Sequence, residues 1–350
     1  MRIVLSLLTL DPRIAGGSER YVRGLCGGLA AVATEEVLAV VPRNATDVTG
    51  RLPALVAEGV PVARGPAQRV RTLAGLRLRP GSLARVVAEA DVVHYPVTVP
   101  LPASDCPTVV TLHDLQHLEH PELFSAAKRR FRARWYDAAV RRADRVIAIS
   151  GWVAARAIEL LELDPSHVHV APHGVEERWF AGGGPREPFL LYPARGWPHK
   201  NHSRLFEAFA LVRHDHPDLR LVLTGGGHDF TSLPPGVESR GHVDDDTLAS
   251  LYARAAALVF PSLSEGFGLP VLEAMAAGCP VAASIAGGLP EVTGEHAATF
   301  DPTDVEAIAR AIDDALELTP AQLEAARDHA RTFSWQTSAR IHLDVYRKAA

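Results

Sequence analysis

Glu265 and Glu273 stand eight residues apart in SEGFGLPVLEAMAAG (residues 264–278), where nearly every other side chain is small or apolar. An ionised carboxylate among Val271, Leu272, Ala274, Met275 and Ala276 is costly to bury unless donors meet it, and a pair of ribose hydroxyls would be such donors. The loop Gly266-Phe267-Gly268-Leu269 lets backbone N–H groups at a helix start approach an anion closely, and the helix dipole adds attraction. A phosphate fits there. In YPARGWPHKNH (192–202), Arg195 and Lys200 follow a strand five residues apart, where two cations can neutralise a diphosphate. Taken singly, Glu273 also reads as a partly exposed helix glutamate, and the two cations as surface charge. The combination is what points to a nucleotide.

Other stretches carry weaker signals. Gly16-Gly17 stand before a helix that Ser18 is expected to cap, with Glu19 in its first turn, offering a second phosphate contact. The spacing is not G-x-G-x-x-G, which argues against a dehydrogenase. TVVTLHDL ends a strand on His113-Asp114 at the edge where ligands bind. Gly225, in LTGGG, marks either close approach to a ligand or a tight turn. Asp244-Asp245-Asp246 contains the D-x-D pattern of a metal-binding site, but before TLASLYARA it reads better as an acidic helix start. His113, His117 and His120 lack an H-E-x-x-H helix, so no zinc is expected. KRRFRARWYDAAVRRADR (128–145) packs eight basic side chains around Phe131, Trp135, Tyr136 and Val140. It reads as a solvated helix or as a peripheral contact with an anionic membrane.

These residues need a frame. β-branched runs such as RIVLSLL, EVLAVVP, TVVTLH, FLLYPA, RLVLTGG and ALVFPS alternate with helical stretches such as SRLFEAFALVR. That order implies parallel sheets covered on both faces. With 350 residues, more than one core usually holds, two domains are expected. AGGGPREP (181–188) breaks both periodicities and is the linker candidate, separating domains at 1–178 and 188–333. Ligands of such sheets bind outside the strands' carboxyl ends, so two facing domains imply a cleft between them. The first 180 residues hold 22 Lys/Arg against 19 Asp/Glu, too slight an excess to suggest nucleic acid. The opening apolar run is too short for a signal peptide, and no apolar segment is long enough to span a bilayer. Three dispersed cysteines, Cys26, Cys106 and Cys279, fit a reducing compartment, so a cytoplasmic location is expected.

Over nearly its whole length the chain resembles the retaining, nucleotide-sugar-dependent glycosyltransferases of family 4. The matching segments are Gly16-Gly17, VVTLHDL, RVIAIS, VAPHGV (170–175), the Arg195–Lys200 spacing, GHV (241–243) and Glu265-x7-Glu273 with its apolar helix. The last of these is the specific one. The resemblance implies the α/β GT-B fold, two Rossmann-like doubly wound parallel-sheet domains facing a central cleft. It also implies transfer of a hexose, mannosyl- or rhamnosyl-like by analogy of WPHKNH, from a nucleoside-diphosphate sugar to a glycan or lipid-linked hydroxyl. Under it Glu273 binds the donor ribose and Arg195 and Lys200 the diphosphate. Gly16, Gly17, Gly225, Gly266, Phe267, Gly268 and Leu269 lie along the donor, and Val243 lines the base. Glu265 meets the sugar near the reacting carbon, as electrostatic support rather than nucleophile, and His113 meets the sugar hydroxyls. No metal or other cofactor is expected. FSWQTSARIHLDVYRKA resembles the family's last helix (334–350), which crosses back to the first domain through Trp335 and Tyr346. An epimerase or a non-catalytic nucleotide-sugar-binding protein of the same fold is the alternative reading.

Overall fold

The computed structural model describes residues 1–11, 16–58, 75, 83–181, 184–227, 230 and 232–350. They form two compact units, residues 1–174 with 334–350, and residues 175–333.

In the first unit the strands are β1 (Arg2–Ser6), β2 (Glu36–Val41), β3 (Ala54–Val56), β4 (Val92–Tyr95), β5 (Thr108–Leu112), β6 (Arg145–Ala148) and β7 (Val168–Val170). The helices are α1 (Gly17–Val32), α2 (Leu83–Ala88), α3 (Gln116–Glu119), α4 (Ala126–Arg132), α5 (Ala138–Arg142), α6 (Gly151–Leu161) and the C-terminal helix, α13 (Trp335–Ala349). The sheet is parallel, in the order β3-β2-β1-β4-β5-β6-β7. Sequence order therefore reverses between β1 and β4.

The second unit has β8 (Glu187–Pro193), α7 (His202–Asp215), β9 (Arg220–Thr224), β10 (Val237–Ser239), α8 (Asp245–Arg254), β11 (Ala255–Phe260), α9 (Leu269–Ala276) and β12 (Val281–Ser284). It continues with α10 (Leu289–Thr293), β13 (Ala298–Phe300), α11 (Val305–Leu316) and α12 (Pro320–Arg331). Its parallel sheet runs β10-β9-β8-β11-β12-β13, reversing between β8 and β11. The central strands carry continuous buried stretches, for example Phe189–Tyr192 and Ala257–Phe260. Both units are doubly wound, and ligands of such sheets bind where the strand order reverses. Among the described residues no helix is long and apolar enough to cross a membrane.

Several local expectations change. The unit boundary falls after Gly174, before the 181–188 stretch, of which Gly182 and Gly183 lie outside the described residues. Val175, Trp179 and Arg186 are tied to the second unit. Val175 N–H donates to Phe333 O at 3.0 Å, Trp179 is buried edge-on to Tyr252, and Arg186 donates to helix-end carbonyls. A Gly/Pro-rich composition thus marks the segment but not the division. Helix α1 begins at Gly17 with Gly16 at its N-cap, φ +50°, and no side-chain cap, so Ser18 is inside the first turn. The basic stretch 128–145 is helical backbone as far as Arg142, with a π-helical turn at Ala133–Asp137 inserted between α4 and α5. Helix α13 lies on α1, where Trp335 seats over glycines. A Cβ on Gly24 would stand 2.0 Å from the Trp335 ring, and one on Gly174 would stand 2.2 Å from its backbone nitrogen.

Candidate functional site

In the second unit, β8 and β11 are neighbours at the reversal point, with Leu191 opposite Leu258. The loops that leave their carboxyl ends are stitched together. After β8 a short turn, Pro198–Lys200, ends in Asn201, whose left-handed φ of +60° starts α7. The Asn201 amide donates to Pro261 O at 3.0 Å and Pro302 O at 2.8 Å, and Leu263 N–H donates to His199 O at 2.8 Å. Lys200 is thereby brought to the β11 loop, where its Nζ donates to Glu265 Oε1 at 2.5 Å and lies 5.1 Å from the Phe260 ring centre. Two residues far apart in sequence, predicted as diphosphate and sugar ligands, form one ion pair.

Arg195 is half-buried in the same β8 loop, its guanidinium carbon 5.6 Å from the centre of the exposed Trp197 ring. The loop leans on the turn after β9. A Cβ on Gly225, where φ is +111°, would stand 2.7 Å from Ala194 O, and Gly196 N–H donates to Gly226 O at 3.4 Å. Close approach is thus the role of Gly225, and the backbone it meets is that of Ala194 and Arg195. Gly225 N–H in turn donates to Gly241 O at 2.7 Å, which places Val243, two residues on, beside this turn. Asp244 then caps α8 by accepting from Thr247 N–H at 2.8 Å, with Asp245 and Asp246 in the first turn. Among the described residues no group of three or more His, Cys, Asp or Glu side chains is placed to hold a metal ion.

Glu265, Gly266, Phe267 and Gly268 lead into α9, which begins one residue before Pro270. Gly268 is left-handed, φ +110°, and a Cβ there would meet Leu289 at 2.4 Å. Phe267 is buried edge-on to Phe333. The Glu265 backbone is held by a segment that sequence reasoning missed, since Gly288 N–H donates to Glu265 O at 2.9 Å. A Cβ on Gly287 would stand 2.1 Å from that oxygen. The paired glycines of SIAGGLPE were the available signal. Helix α9 ends in a Schellman motif, with Cys279 N–H donating to Ala274 O and Gly278 N–H to Met275 O around a left-handed Gly278.

Glu273 is only 2% exposed. A donor meets it from within the protein, Tyr252 of α8, whose Oη–H donates to Glu273 Oε2 at 3.1 Å. Burial of a carboxylate on an apolar helix is thus reconciled with its charge in part by a phenol that local sequence patterns did not indicate.

In the first unit, Gly16 and Gly17 have no described atom within 4 Å of where a Cβ would sit. His113 leaves the end of β5 and is edge-on to Tyr21, with ring centres 4.9 Å apart. Its Nε2–H donates to Pro96 O at 2.7 Å, so the neutral ring carries its lone pair on Nδ1. Burial lowers the His113 pKa and favours that neutral form. Burial would raise the Asp114 pKa, but Arg132 from α4, which donates to Asp114 Oδ1 at 2.5 Å, together with Gln116 N–H and His113 outweighs it and holds the carboxylate below its usual range. One arginine of the basic stretch is therefore committed to the β5 loop. His117 pairs with Asp137 at 2.9 Å and His120 with Glu122 at 3.3 Å, so the three histidines serve three separate contacts.

Comparison with known proteins matches this geometry. The family model described as Glycosyltransferase Family 4 matches residues 15–179, and that for glycosyl transferases group 1 matches residues 176–332. The MMP α-(1→4)-mannosyltransferase of Mycolicibacterium hassiacum is 32% identical over 276 residues, 69% of this chain and 66% of its own length. The glycogen synthase of Mycobacterium tuberculosis is 30% identical over 391 aligned positions, 99% of this chain and 94% of its own. Among solved structures, sucrose-phosphate synthase from Thermosynechococcus elongatus superposes with a TM-score of 0.80 at 24% identity, covering 99% of this chain and 98% of that one. With two reversed parallel sheets of this order, and relatives aligned across them, the chain is a glycosyltransferase of the GT-B fold and belongs to glycosyltransferase family 4.

Proposed function

We propose that the chain transfers a hexose, mannosyl- or rhamnosyl-like, from a nucleoside-diphosphate sugar to a hydroxyl of a glycan or lipid-linked acceptor, with retention at the anomeric carbon. The observation that carries this reading is the Lys200–Glu265 pair at the reversal point of the second sheet, beside the loop that opens α9. Breaking the bond between sugar and diphosphate builds negative charge on the leaving phosphate and positive character on the sugar carbon. Arg195, Lys200 and the N–H groups of the 266–269 loop are preorganised donors for the first, and the Glu265 carboxylate supports the second. Under this reading no metal is required. Glu265 is not the nucleophile, and the leaving phosphate helps deprotonate the attacking hydroxyl on the same face. In the first unit, His113 Nδ1 accepts from a sugar hydroxyl. The mannosyl assignment is supported by the likeness to the M. hassiacum mannosyltransferase.

A melting-temperature panel of GDP-, UDP-, dTDP- and ADP-sugars tests the donor class, because a ligand that binds only the folded state raises the midpoint. Incubating the best donor with candidate acceptors, and reading the product's anomeric configuration by NMR, tests transfer and retention. Inversion, or activity lost in EDTA and restored by Mn²⁺, would refute the corresponding part. For the membrane we propose that exposed Lys128, Arg129, Arg130 and Arg134 make a peripheral contact with anionic lipid. Flotation with phosphatidylglycerol vesicles but not with neutral ones is the expected result.

A further inference from the structure

Helix α9 presents Glu273 among apolar neighbours, and what surrounds its carboxylate fixes how it is aimed. Tyr252, itself fully buried, donates its Oη–H to Glu273 Oε2 at 3.1 Å from the neighbouring helix α8. The phenol ring is held edge-on against buried Trp179, with ring centres 5.8 Å apart.

Both helices are anchored at their ends by the same guanidinium. Arg186 donates to the carbonyls of Tyr252 and Ala253 at 3.3 Å, to Ala255 O at 3.0 Å, and also to Gly278 O just beyond α9. Arg327 adds a bond to Ala276 O at 3.2 Å and one to Phe180 O at 2.8 Å. Tyr252 and Glu273 therefore sit on two helices whose carboxyl ends are clamped together, and the bond between the two side chains is a polar link inside that clamp.

We propose that Tyr252 is a positioning residue that orients the Glu273 carboxylate toward the donor's ribose, so that the protein selects ribonucleoside over 2′-deoxyribonucleoside diphosphates. The inference rests on the reading of Glu273 as the ribose ligand. An ionised carboxylate has about four acceptor positions, of which the phenol takes one, and it accepts from a vicinal diol through two donors whose geometry demands a fixed plane. Removing the 2′-hydroxyl removes one of those donors. Removing the Tyr252 hydroxyl leaves both but takes away one of the contacts that set that plane.

Calorimetric titration of UDP, GDP and ADP, each beside its 2′-deoxy counterpart, into wild type, Tyr252→Phe and Glu273→Gln tests the proposal, with melting curves to confirm that each variant is folded. For the base that binds, wild type is expected to favour the ribose form by about tenfold, the effect of one hydrogen bond to a charged group. Tyr252→Phe is expected to weaken the ribose form by roughly 3- to 10-fold and the deoxy form by less than about twofold, narrowing the preference. Glu273→Gln should narrow it further. If Tyr252→Phe weakens both forms by the same factor, or neither, while Glu273→Gln removes the preference, Tyr252 is a packing residue and the proposal fails alone. If wild type shows no preference, or binds none of the six, the ribose reading of Glu273 fails and takes the proposal with it. Should Tyr252→Phe not fold, a crystal structure of wild type with the tightest of these diphosphates decides. Tyr252 Oη must remain bonded to the carboxylate that holds the 2′- and 3′-hydroxyls, and a carboxylate turned away from either overturns the role.

Discussion

Lys200 Nζ and Glu265 Oε1 lie 2.5 Å apart, each side chain 13% exposed, although 65 residues separate them in the chain. A pair this sheltered is asymmetric in its consequences. Removing one partner strands the other charge, whereas removing both does not. Lys200→Met is therefore expected to lower stability by about 2 kcal/mol and transfer by roughly 100-fold or more. Lys200→Met combined with Glu265→Gln should regain much of the stability and none of the activity. Denaturant melts and turnover with a saturating donor separate the two effects.

The Glu265 backbone depends on the missing side chain at Gly287. A methyl group there would stand 2.1 Å from Glu265 O, and φ is +67°. Gly287→Ala is expected to cost about 2 kcal/mol or more and to displace the loop that carries Glu265. Activity should fall further than stability, read as kcat measured well below the melting temperature. Ala286→Gly, one residue earlier, is the control that should leave kcat within about twofold.

A buried polar chain runs through the first unit and should give it a distinctive acid sensitivity. Tyr21 Oη contacts Thr111 Oγ1 at 2.8 Å and His342 Nε2 at 2.9 Å, while His94 bridges Thr111 at 2.8 Å and Tyr346 at 2.7 Å. Burial, only partly offset by the bond to Ser338 O, lowers the His342 pKa from 6.5 to about 4, and burial also lowers that of His94. Between those values the unfolded chain binds the proton and the folded one does not. Stability is accordingly whole above pH 6.5 and falls as the pH drops below it, the His342 share ceasing to fall near pH 4. The His342 share is about 3 kcal/mol at most. Urea melts from pH 7.5 to 4 should show the slope, and His342→Gln should flatten it whatever its effect at neutral pH.

Arg132 holds Asp114 ionised against the effect of burial. In Arg132→Met, burial is opposed only by the Gln116 N–H bond to Asp114 Oδ1 and by His113, and the Asp114 pKa should rise. Titration of ¹³C-labelled aspartate carboxyls by NMR checks this directly, and an acid limb of the transfer rate that moves to higher pH would be the accompanying kinetic sign. An unmoved Asp114 resonance would show that Arg132 does not govern its charge.

The seat of the C-terminal helix is testable through one glycine. A Cβ on Gly24 would stand 2.0 Å from the Trp335 ring, so Gly24→Ala must push α13 away from α1. Trp335→Ala, which empties a nearly buried site, is expected to cost about 3–5 kcal/mol. Gly24→Ala combined with Trp335→Leu should be more stable than Gly24→Ala alone, as read by thermal melts.

Much of the architecture was legible in the residues. Buried parallel strands are continuous apolar runs, and RIVLSLL, TVVTLH, FLLYPA and ALVFPS announce themselves because a central strand needs apolar side chains on both faces. Edge strands have no such need. Ala54–Val56 and Val237–Ser239, three residues each with little burial, did not stand out. The unit division precedes the Gly/Pro-rich stretch because composition reports where the backbone is irregular, not which unit it packs against, and Trp179 and Arg186 decide that through partners some 70 to 90 residues away.

By itself the sequence determined the fold class and singled out the residue types of the candidate site, because helix and strand periods and the chemistry of Arg195, Lys200, Glu265 and Glu273 are properties of near neighbours in the chain. Only the tertiary structure decided which groups meet. Lys200 finds Glu265 because β8 and β11 are adjacent where the strand order reverses, Gly287 makes room for the Glu265 carbonyl, and Tyr252 reaches Glu273 because one guanidinium joins the ends of their helices. Such contacts are set by the packing of elements distant in sequence, and no local pattern encodes them.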